Sequence, residues 1–503
     1  MVSDSTRPQR PPRTPLATLA AWLEEAVGVR VAGAAEGVAV TGMSLSSQRI
    51  RRGDLYAALP GTRAHGMDFA AAAVAAGAVA VLTDEAGAAA AAVDVPVLVV
   101  DRPRAVLGAL AARVYGEPAE SMRMIGVTGT QGKTTTTRLL EGGLTTVGDT
   151  AAVIGTVGTR VAGEDVPTVL TTPEAPDLHG LFAMMRERGV TTCAMEVSSH
   201  ALVMGRVDGV VFDVAVFLNL GRDHLDFHAD VEDYFRAKAS LFTPARARLG
   251  LVNVDDDHGR RLVTEAGVPV RTFSTGGDAD WTVEDVELGP EGSTFVVVAP
   301  DGRRIAARCP LPGDFNVANT LAAVAAAGEA GLDPAVVAAG IAAADGVPGR
   351  LERVDLGQDF LVVVDYAHKP DAVEAAIRTL RPLTEGRVIV VLGAGGDRDP
   401  GKRPIMAAIA ARLADLLVVT DDNPRTEDPA SIRAAMLAGV AGPAEVLEVG
   451  DRRAAIREAV RRARPGDIVL VAGKGHETGQ EIDGVVHPFD DREVAREELA
   501  CLP

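Results

Sequence analysis

Arg123-Met-Ile-Gly-Val-Thr-Gly-Thr-Gln-Gly-Lys-Thr-Thr-Thr-Thr-Arg-Leu-Leu140 decides how the rest of the chain is read. The apolar run 124–127 predicts a buried strand, and the residues from Lys133 onward predict the helix that follows it. Between them Gly129 and Gly132 let the backbone curl until its N–H groups point inward, at the positive end of that helix. A strand, a glycine turn and Lys-Thr at the start of a helix are the context in which a nucleoside triphosphate is cradled. Lys133 is spaced to reach the β- and γ-phosphates, and the Thr134 hydroxyl to ligate Mg²⁺. Gly129, Thr130, Gln131, Gly132, Lys133, Thr134 and Thr135 are therefore the candidate phosphate contacts. Val127 stands where the usual spacing places the first glycine, so the loop is a variant form.

At 503 residues the chain has the length of about three domains on the usual size prior. No apolar run approaches the roughly 20 residues of a membrane span. Residues 1–15 are polar, with proline and arginine, and predict a disordered arm with no signal peptide. Cys193, Cys309 and Cys501 are far apart and odd in number, which argues against a disulfide framework or a zinc knuckle. A net charge of −19 argues against general nucleic-acid binding, which needs a basic footprint. The expectation is a soluble, monomeric, cytoplasmic protein with no nucleic-acid partner and no membrane span.

Alternating strand and helix patterns divide the chain into three α/β units. Residues 16–120 predict a small domain that opens with a helix over Leu16–Val27 and ends at the hinge-like Tyr115-Gly-Glu-Pro118. Residues 121–347 predict a parallel sheet built around the phosphate loop, with an antiparallel flap over 280–308. Residues 348–503 predict a Rossmann-like, doubly wound sheet whose ligands belong at the carboxyl ends of its strands. Gly393-Ala-Gly-Gly-Asp397 lacks the third glycine of a dinucleotide fingerprint, which argues against nicotinamide binding.

Four further clusters carry chemistry. Glu196 in Met195-Glu-Val-Ser-Ser-His200 ends a predicted core strand, where a second Mg²⁺ ligand is wanted. His224 lies between Asp223 and Asp226 on a strand-end loop, where it reads equally as a metal ligand or a structural histidine. Lys238 in Asp233-Tyr-Phe-Arg-Ala-Lys-Ala sits between apolar helix positions that could turn it toward the phosphate site, but from the residues alone the reading as a solvated helix lysine pairing with Glu232 or Asp233 prevails. Asn316 and Asn319 in Gly313-Asp-Phe-Asn-Val-Ala-Asn319 read as a helix cap or as nucleotide contacts.

With these blocks in order, the sequence resembles the Mur ligase family, the ATP-dependent amino-acid ligases of peptidoglycan precursor synthesis. Gly-Thr-Gln-Gly-Lys-Thr-Thr, Thr171-Thr-Pro173, Glu-Val-Ser-Ser-His, Asn219-Leu-Gly-Arg-Asp-His224 and Tyr-Phe-Arg-Ala-Lys-Ala carry the resemblance. Gly-Asp-Phe-Asn-Val-Ala-Asn, Gly349-Arg-Leu-Glu352 and Asp365-Tyr-Ala-His368 complete it, from about residue 40 to the end of the chain. Asp422-Asn-Pro-Arg425 is similar to the motif of the family's meso-diaminopimelate-adding members. Its arginine fork suits a second amino-acid carboxylate that lysine lacks.

The resemblance implies ligation of meso-diaminopimelate to UDP-MurNAc-L-Ala-D-Glu through an acyl phosphate, with ATP as co-substrate and Mg²⁺ as cofactor. Asn316, Asn319, Arg350 and Asp365 would join the loop residues on ATP. Ser47, Thr62, Arg63, Ala64, Thr171, Thr172, Ser198 and Arg206 would hold the UDP substrate, with Met204 where the family often has glutamine. Arg398, Asp422, Asn423, Pro424, Arg425, Gly473 and Glu477 would hold diaminopimelate. Thr134, Glu196, His224 and Lys238 would hold the metal, Lys238 as a CO₂-carbamylated anion. Lys133, Lys238, Glu196 and His224 would be the catalytic set. The alternatives are a lysine-adding relative, a folylpolyglutamate synthase-like ligase, or a nucleotide-gated regulatory protein that hydrolyses ATP without ligation.

Overall fold

The computed structural model describes residues 6–90 and 92–502. The chain forms two compact units. One is Met1–Val283 with Val297–Ile305 and Asn319–Gly340; the other is Glu284–Val296 with Ala306–Ala318 and Ile341–Pro503.

Among the described residues the first unit holds two large sheets and a small pair of strands, Thr14–Pro15 with Ala39–Val40. The five-stranded one runs in the order Arg30–Ala32, Val97–Val99, Ala80–Thr83, Asp54–Ala57, Gly42–Ser44. All neighbours in it are parallel except the Arg30–Ala32 edge. The predicted helix over Leu16–Val27 has those bounds, because Gly28 at φ 76° stops it and Leu16, Leu19, Ala20 and Leu23 bury one stripe.

The segment read as a disordered arm is tied down from Arg7 onward, while residues 1–5 lie outside the described residues. Arg7 Nη1 donates to Asp54 Oδ2 at 2.6 Å and Nη2 to the Met43 carbonyl at 2.9 Å. Both side chains of this ion pair are buried. The Gln9 and Arg10 N–H groups donate to the two carboxylate oxygens of Glu187 at 2.7 and 2.5 Å. Polar composition predicts disorder because little apolar surface can be buried. Here charge-assisted bonds to two carboxylates provide the anchor instead.

The eight-stranded sheet runs Glu164–Val166, Gly158–Val161, Ala151–Gly155, Thr192–Glu196, Arg123–Thr128, Phe212–Phe217, Ala247–Asn253, Val270–Phe273. Its last six strands are parallel, and the first two form an antiparallel hairpin at one edge. Ala151–Gly155 and Thr192–Glu196 are buried along their whole length, as a sheet covered on both faces requires. Register pairs Glu196 with Val127 and Phe217 with Thr128, so the ends of both flanking strands lie level with the phosphate loop. Strands Thr282–Gly289, Gly292–Val298 and Arg304–Cys309 make a three-stranded sheet where alternation predicts the flap.

The second unit is built on a six-stranded sheet: Glu352–Val354, Leu361–Asp365, Ile468–Ala472, Val388–Ala394, Leu416–Asp421, Glu445–Glu448. Only the first strand is antiparallel. Strand periodicity divides its apolar residues between two cores. Val363, Val388, Val390, Leu392, Leu417, Val419 and Leu470 pack with helices Pro370–Leu380, Lys402–Leu413 and Pro429–Leu437. Val362, Val364, Ile389, Val391, Val418, Val469 and Val471 pack with helices Arg452–Arg462 and Asp491–Ala500. Each fully buried valine or leucine contributes about 1.5–3 kcal/mol, so a one-residue slip would be strongly opposed. Register then places Asp365 opposite Ala472 and Ala394 opposite Asp421, at the carboxyl ends of the strands.

Candidate active site

The phosphate loop closes onto its own helix. Gly132 has φ 85°, and a Cβ there would collide with the Asn319 amide oxygen, so the turn admits glycine alone. Helix Lys133–Thr146 begins directly after it. Lys133 Nζ donates to the Gly129 carbonyl at 2.7 Å and to the Thr130 carbonyl at 3.1 Å. Asn219 Oδ1 accepts the N–H groups of Thr130 and Gln131 at 3.1 and 2.9 Å. Thr135 is buried on the helix's first turn. Asn319 thus lies against the loop, and Asn219 braces it from the neighbouring strand end.

Thr134 Oγ1 donates to Glu196 Oε1 at 2.8 Å. The same carboxylate accepts the Thr156 N–H at 2.7 Å and the Thr156 hydroxyl at 3.2 Å. A hydroxyl and a carboxylate held together are the hard oxygen donors that Mg²⁺ takes. Among the described residues no three of His, Cys, Asp and Glu gather as a metal cage.

Lys238 overturns the solvated reading. Its side chain is 1% exposed, and Nζ donates to the Gly129 carbonyl at 2.9 Å. Burial, then the charge of Lys133, holds its amine well below the usual lysine range, with Asp223 acting the other way. Helix Val231–Ala239 turns this position inward together with Tyr234 and Phe235. The spacing of the apolar residues contained that face; the lysine's polarity masked it.

His224 has φ 54° and lies in an aromatic cluster, with its ring 4.9 Å from that of His200 and 6.0 Å from that of Tyr234. Tyr234 in turn bonds Thr130 Oγ1 at 3.2 Å, so the cluster borders the loop. Next to it, His228 bridges Ser199 Oγ at 2.9 Å and Asp233 Oδ2 at 3.0 Å. Sequence reasoning passed over His228 because nothing in its spacing separates it from His224.

The proposed sugar-peptide residues fall into two groups. Thr171 Oγ1 lies 3.1 Å from Thr156 Oγ1, and Thr172 Oγ1 donates to the Glu196 carbonyl at 2.8 Å. The Ser198 N–H donates to Thr172 Oγ1 at 3.4 Å, and Arg206 Nε to Glu174 Oε1 at 2.8 Å. Met204 is half-buried just before Arg206. Ser47 is half-buried at the first position of a short helical turn, and Thr62, Arg63 and Ala64 are exposed on a loop closed by the bridge from Pro60 to His65. Arg49, two residues beyond Ser47, pairs with Asp177 at 2.8 and 3.0 Å.

In the second unit, Leu351 and Ala367 N–H groups both donate to the Asp365 carboxylate at 2.8 Å. Burial raises the Asp365 pKa, and Arg350 and these bonds offset it. The Arg350 guanidinium lies 4.9 Å from the centre of the Tyr366 ring. Asn316 Nδ2 donates to the Pro312 carbonyl at 2.8 Å, so its amide holds its own loop.

Asp422, Asn423 and Pro424 are buried just beyond the strand Leu416–Asp421. Asn423 Nδ2 donates to Glu477 Oε2 at 2.8 Å, and Gly473, at φ 121°, brings Asp422 so close that a Cβ would sit 2.6 Å from its Oδ2. Arg425 has φ 54°; its Nη1 donates to the Gly396 carbonyl at 2.6 Å and its Nε lies 3.3 Å from Glu481 Oε2. Its main chain is paired to the hairpin Gly479–Ile482/Val485–Pro488 through the Glu481 carbonyl and the Asp483 N–H. Arg398 is exposed on the same loop as Gly396. The structure thus gathers six of the seven predicted residues into one strand-end wall and sets Arg398 on the adjoining loop.

Known families and relatives match this chain along most of its length. The model of the Mur ligase middle domain matches residues 127–327, that of the Mur ligase glutamate ligase domain residues 349–475, and that of the Mur ligase family catalytic domain residues 39–115. The UDP-N-acetylmuramoyl-L-alanyl-D-glutamate--2,6-diaminopimelate ligase of Streptomyces avermitilis is 60% identical over 98% of both chains. That of Streptomyces coelicolor is 59% identical, again over 98% of both. A solved structure of a UDP-N-acetylmuramoyl-L-alanyl-D-glutamate--2,6-diaminopimelate ligase superposes with a TM-score of 0.68 at 36% identity, covering 92% of this chain and 95% of that one. Matched by these three family models and 60% identical over 98% of its length to a curated relative, this chain belongs to the Mur ligase family.

Proposed function

We infer that this ATP-dependent ligase joins meso-diaminopimelate to the D-glutamate γ-carboxylate of UDP-MurNAc-L-Ala-D-Glu in the cytoplasm, during peptidoglycan precursor synthesis. The observation that carries the substrate assignment is the wall of Asn423, Arg425 and Glu477. It offers a guanidinium to a carboxylate and a carboxylate to an ammonium, and a zwitterionic amino-acid terminus presents both. Residues 16–120 hold the UDP end, residues 121–347 ATP, and residues 348–503 the incoming diamino acid.

The chemistry runs in two steps. A γ-carboxylate oxygen attacks the terminal phosphorus of ATP, and ADP leaves with the electrons of the broken P–O bond. The amine of diaminopimelate then attacks the acyl carbon, loses a proton, and expels inorganic phosphate. Lys133 and the loop N–H groups face the charge that spreads over the transferring phosphoryl oxygens. Thr134 and Glu196 would hold Mg²⁺, which neutralises phosphate charge when bound. Lys238, carbamylated by CO₂, would present an anion beside that position. A free ammonium there would be repelled by the metal. Its depressed pKa supports this reading, because CO₂ adds only to a neutral amine.

ADP release measured with UDP-MurNAc-L-Ala-D-Glu and with meso-, LL-diaminopimelate or lysine tests the assignment. Turnover should require both substrates and favour the meso isomer. Turnover indifferent to the sugar-peptide or to the diamino acid would overturn ligation.

A further inference from the structure

The wall that receives the diamino acid is itself held by a lysine. Lys474 has no exposed side-chain surface. Its Nζ donates to Asn423 Oδ1 at 3.0 Å and to Glu477 Oε2 at 3.0 Å. Asn423 Nδ2 donates to that same Glu477 oxygen at 2.8 Å, which closes a three-membered ring of side chains. The Glu481 N–H also donates to Asn423 Oδ1, at 3.0 Å, so the amide oxygen has two donors and the amide cannot flip without losing both. Every group that fixes Asn423 and Glu477 is therefore intramolecular, and the ammonium touches both.

We propose that Lys474 is a positioning residue for diaminopimelate: it sets the rotamers of Asn423 and Glu477 and balances the Glu477 charge before substrate arrives. A desolvated ammonium is tolerated only where it is paired and hydrogen-bonded. Glu477 supplies the pairing while one-third of its own side chain stays exposed. Lys474 therefore anchors the carboxylate's buried side and leaves its accessible side to the substrate ammonium. A Glu477 held this way binds a cation without first being ordered, so the entropy of fixing its side chain is not charged to binding.

This inference rests on the assignment of the wall to the diamino acid, and the test separates the two. Wild-type enzyme without diaminopimelate-dependent ADP release would remove the assignment itself. Given that dependence, Lys474→Met should raise KM for meso-diaminopimelate roughly ten- to hundredfold and leave KM for ATP and for the UDP substrate within about twofold. An unchanged KM for diaminopimelate, or three KM values rising together, would overturn a positioning role. The double variant K474M/E477Q should raise KM for diaminopimelate by less than the product of the two single effects, because the lysine acts in part through that carboxylate. Multiplying effects would overturn the proposal. Should K474M not yield soluble enzyme, Lys474→Gln, which keeps a donor and removes the charge, carries the same comparison with the same outcomes.

Discussion

Lys133 and Lys238 aim their amines at one acceptor, the carbonyl oxygen of Gly129, at 2.7 and 2.9 Å. Two ammonium groups sharing an oxygen repel each other, and only Lys133 sits at the start of the loop helix. Burial first, and then the charge of Lys133, hold the Lys238 amine well below the usual lysine range. In the function proposed above, Lys133 faces the phosphates and Lys238 is the amine that takes up CO₂.

Lys238→Ala should lower kcat by on the order of 10²–10³, the scale of a lost charge-stabilising group. Wild-type activity should fall in CO₂-depleted buffer and return with bicarbonate. A ¹³C carbamate resonance present in wild type and absent from the variant checks the modification directly; full activity of Lys238→Ala would end it.

Arg425→Ala should raise KM for meso-diaminopimelate by about tenfold to hundredfold, the worth of a charged hydrogen bond. KM for ATP should stay within about twofold. Steady-state kinetics with each substrate varied in turn decides it, since equal increases would mean that the arginine does not recognise the amino acid.

His179 predicts acid sensitivity. It is fully buried, its Nε2 bonds the Asp208 carbonyl at 3.1 Å, and burial lowers its pKa from 6.5 to about 4. Below pH 6.5 the unfolded chain gains a proton that the folded chain refuses, so stability falls as pH drops from about 6.5 to about 4. Between pH 7.5 and pH 5 the loss from this group is about 2 kcal/mol. His179→Gln keeps a donor and removes the titration. Denaturant midpoints at the two pH values should differ less in the variant than in wild type.

Arg7→Ala should destabilise the first unit by about 3–5 kcal/mol, because it leaves the Asp54 carboxylate buried without its partner. Asp54→Asn in the same background should recover part of that loss. Thermal unfolding of the single and double variants measures both, and a single variant as stable as wild type would show that residues 6–15 carry no structural load.

Periodicity made the second unit's sheet legible, because its four inner strands are nearly continuous apolar runs and alternate with helices that cover both faces. The phosphate loop was legible for a different reason, since Gly132 and Lys133 serve a backbone geometry few other residues allow. The hairpins Gly158–Val161/Glu164–Val166 and Gly479–Ile482/Val485–Pro488 were not, because short, half-exposed strands carry little hydrophobic signal. Helix Asp257–Glu265 was missed as well; it buries only Gly259 and Leu262 and shows no apolar stripe. The site follows the same division. Thr134 and Glu196 could be read from their places at a helix start and a strand end. Lys474 sits between two glycines in a motif where nothing separates a buried lysine from an exposed one. Its role depends on Asn423, 51 positions earlier in the chain.

The pairing of Arg425 with the hairpin gives that turn an unusual dependence. Because the Glu481 carbonyl and the Asp483 N–H hold its main chain, the arginine behaves as a short extra strand whose registration is set some sixty residues downstream. Transplanting Asp422-Asn-Pro-Arg425 into a relative would therefore carry the substrate preference only if the hairpin travels with it. Lengthening the Asp483-Gly484 turn by a single residue would re-aim the guanidinium while leaving every residue of the motif in place.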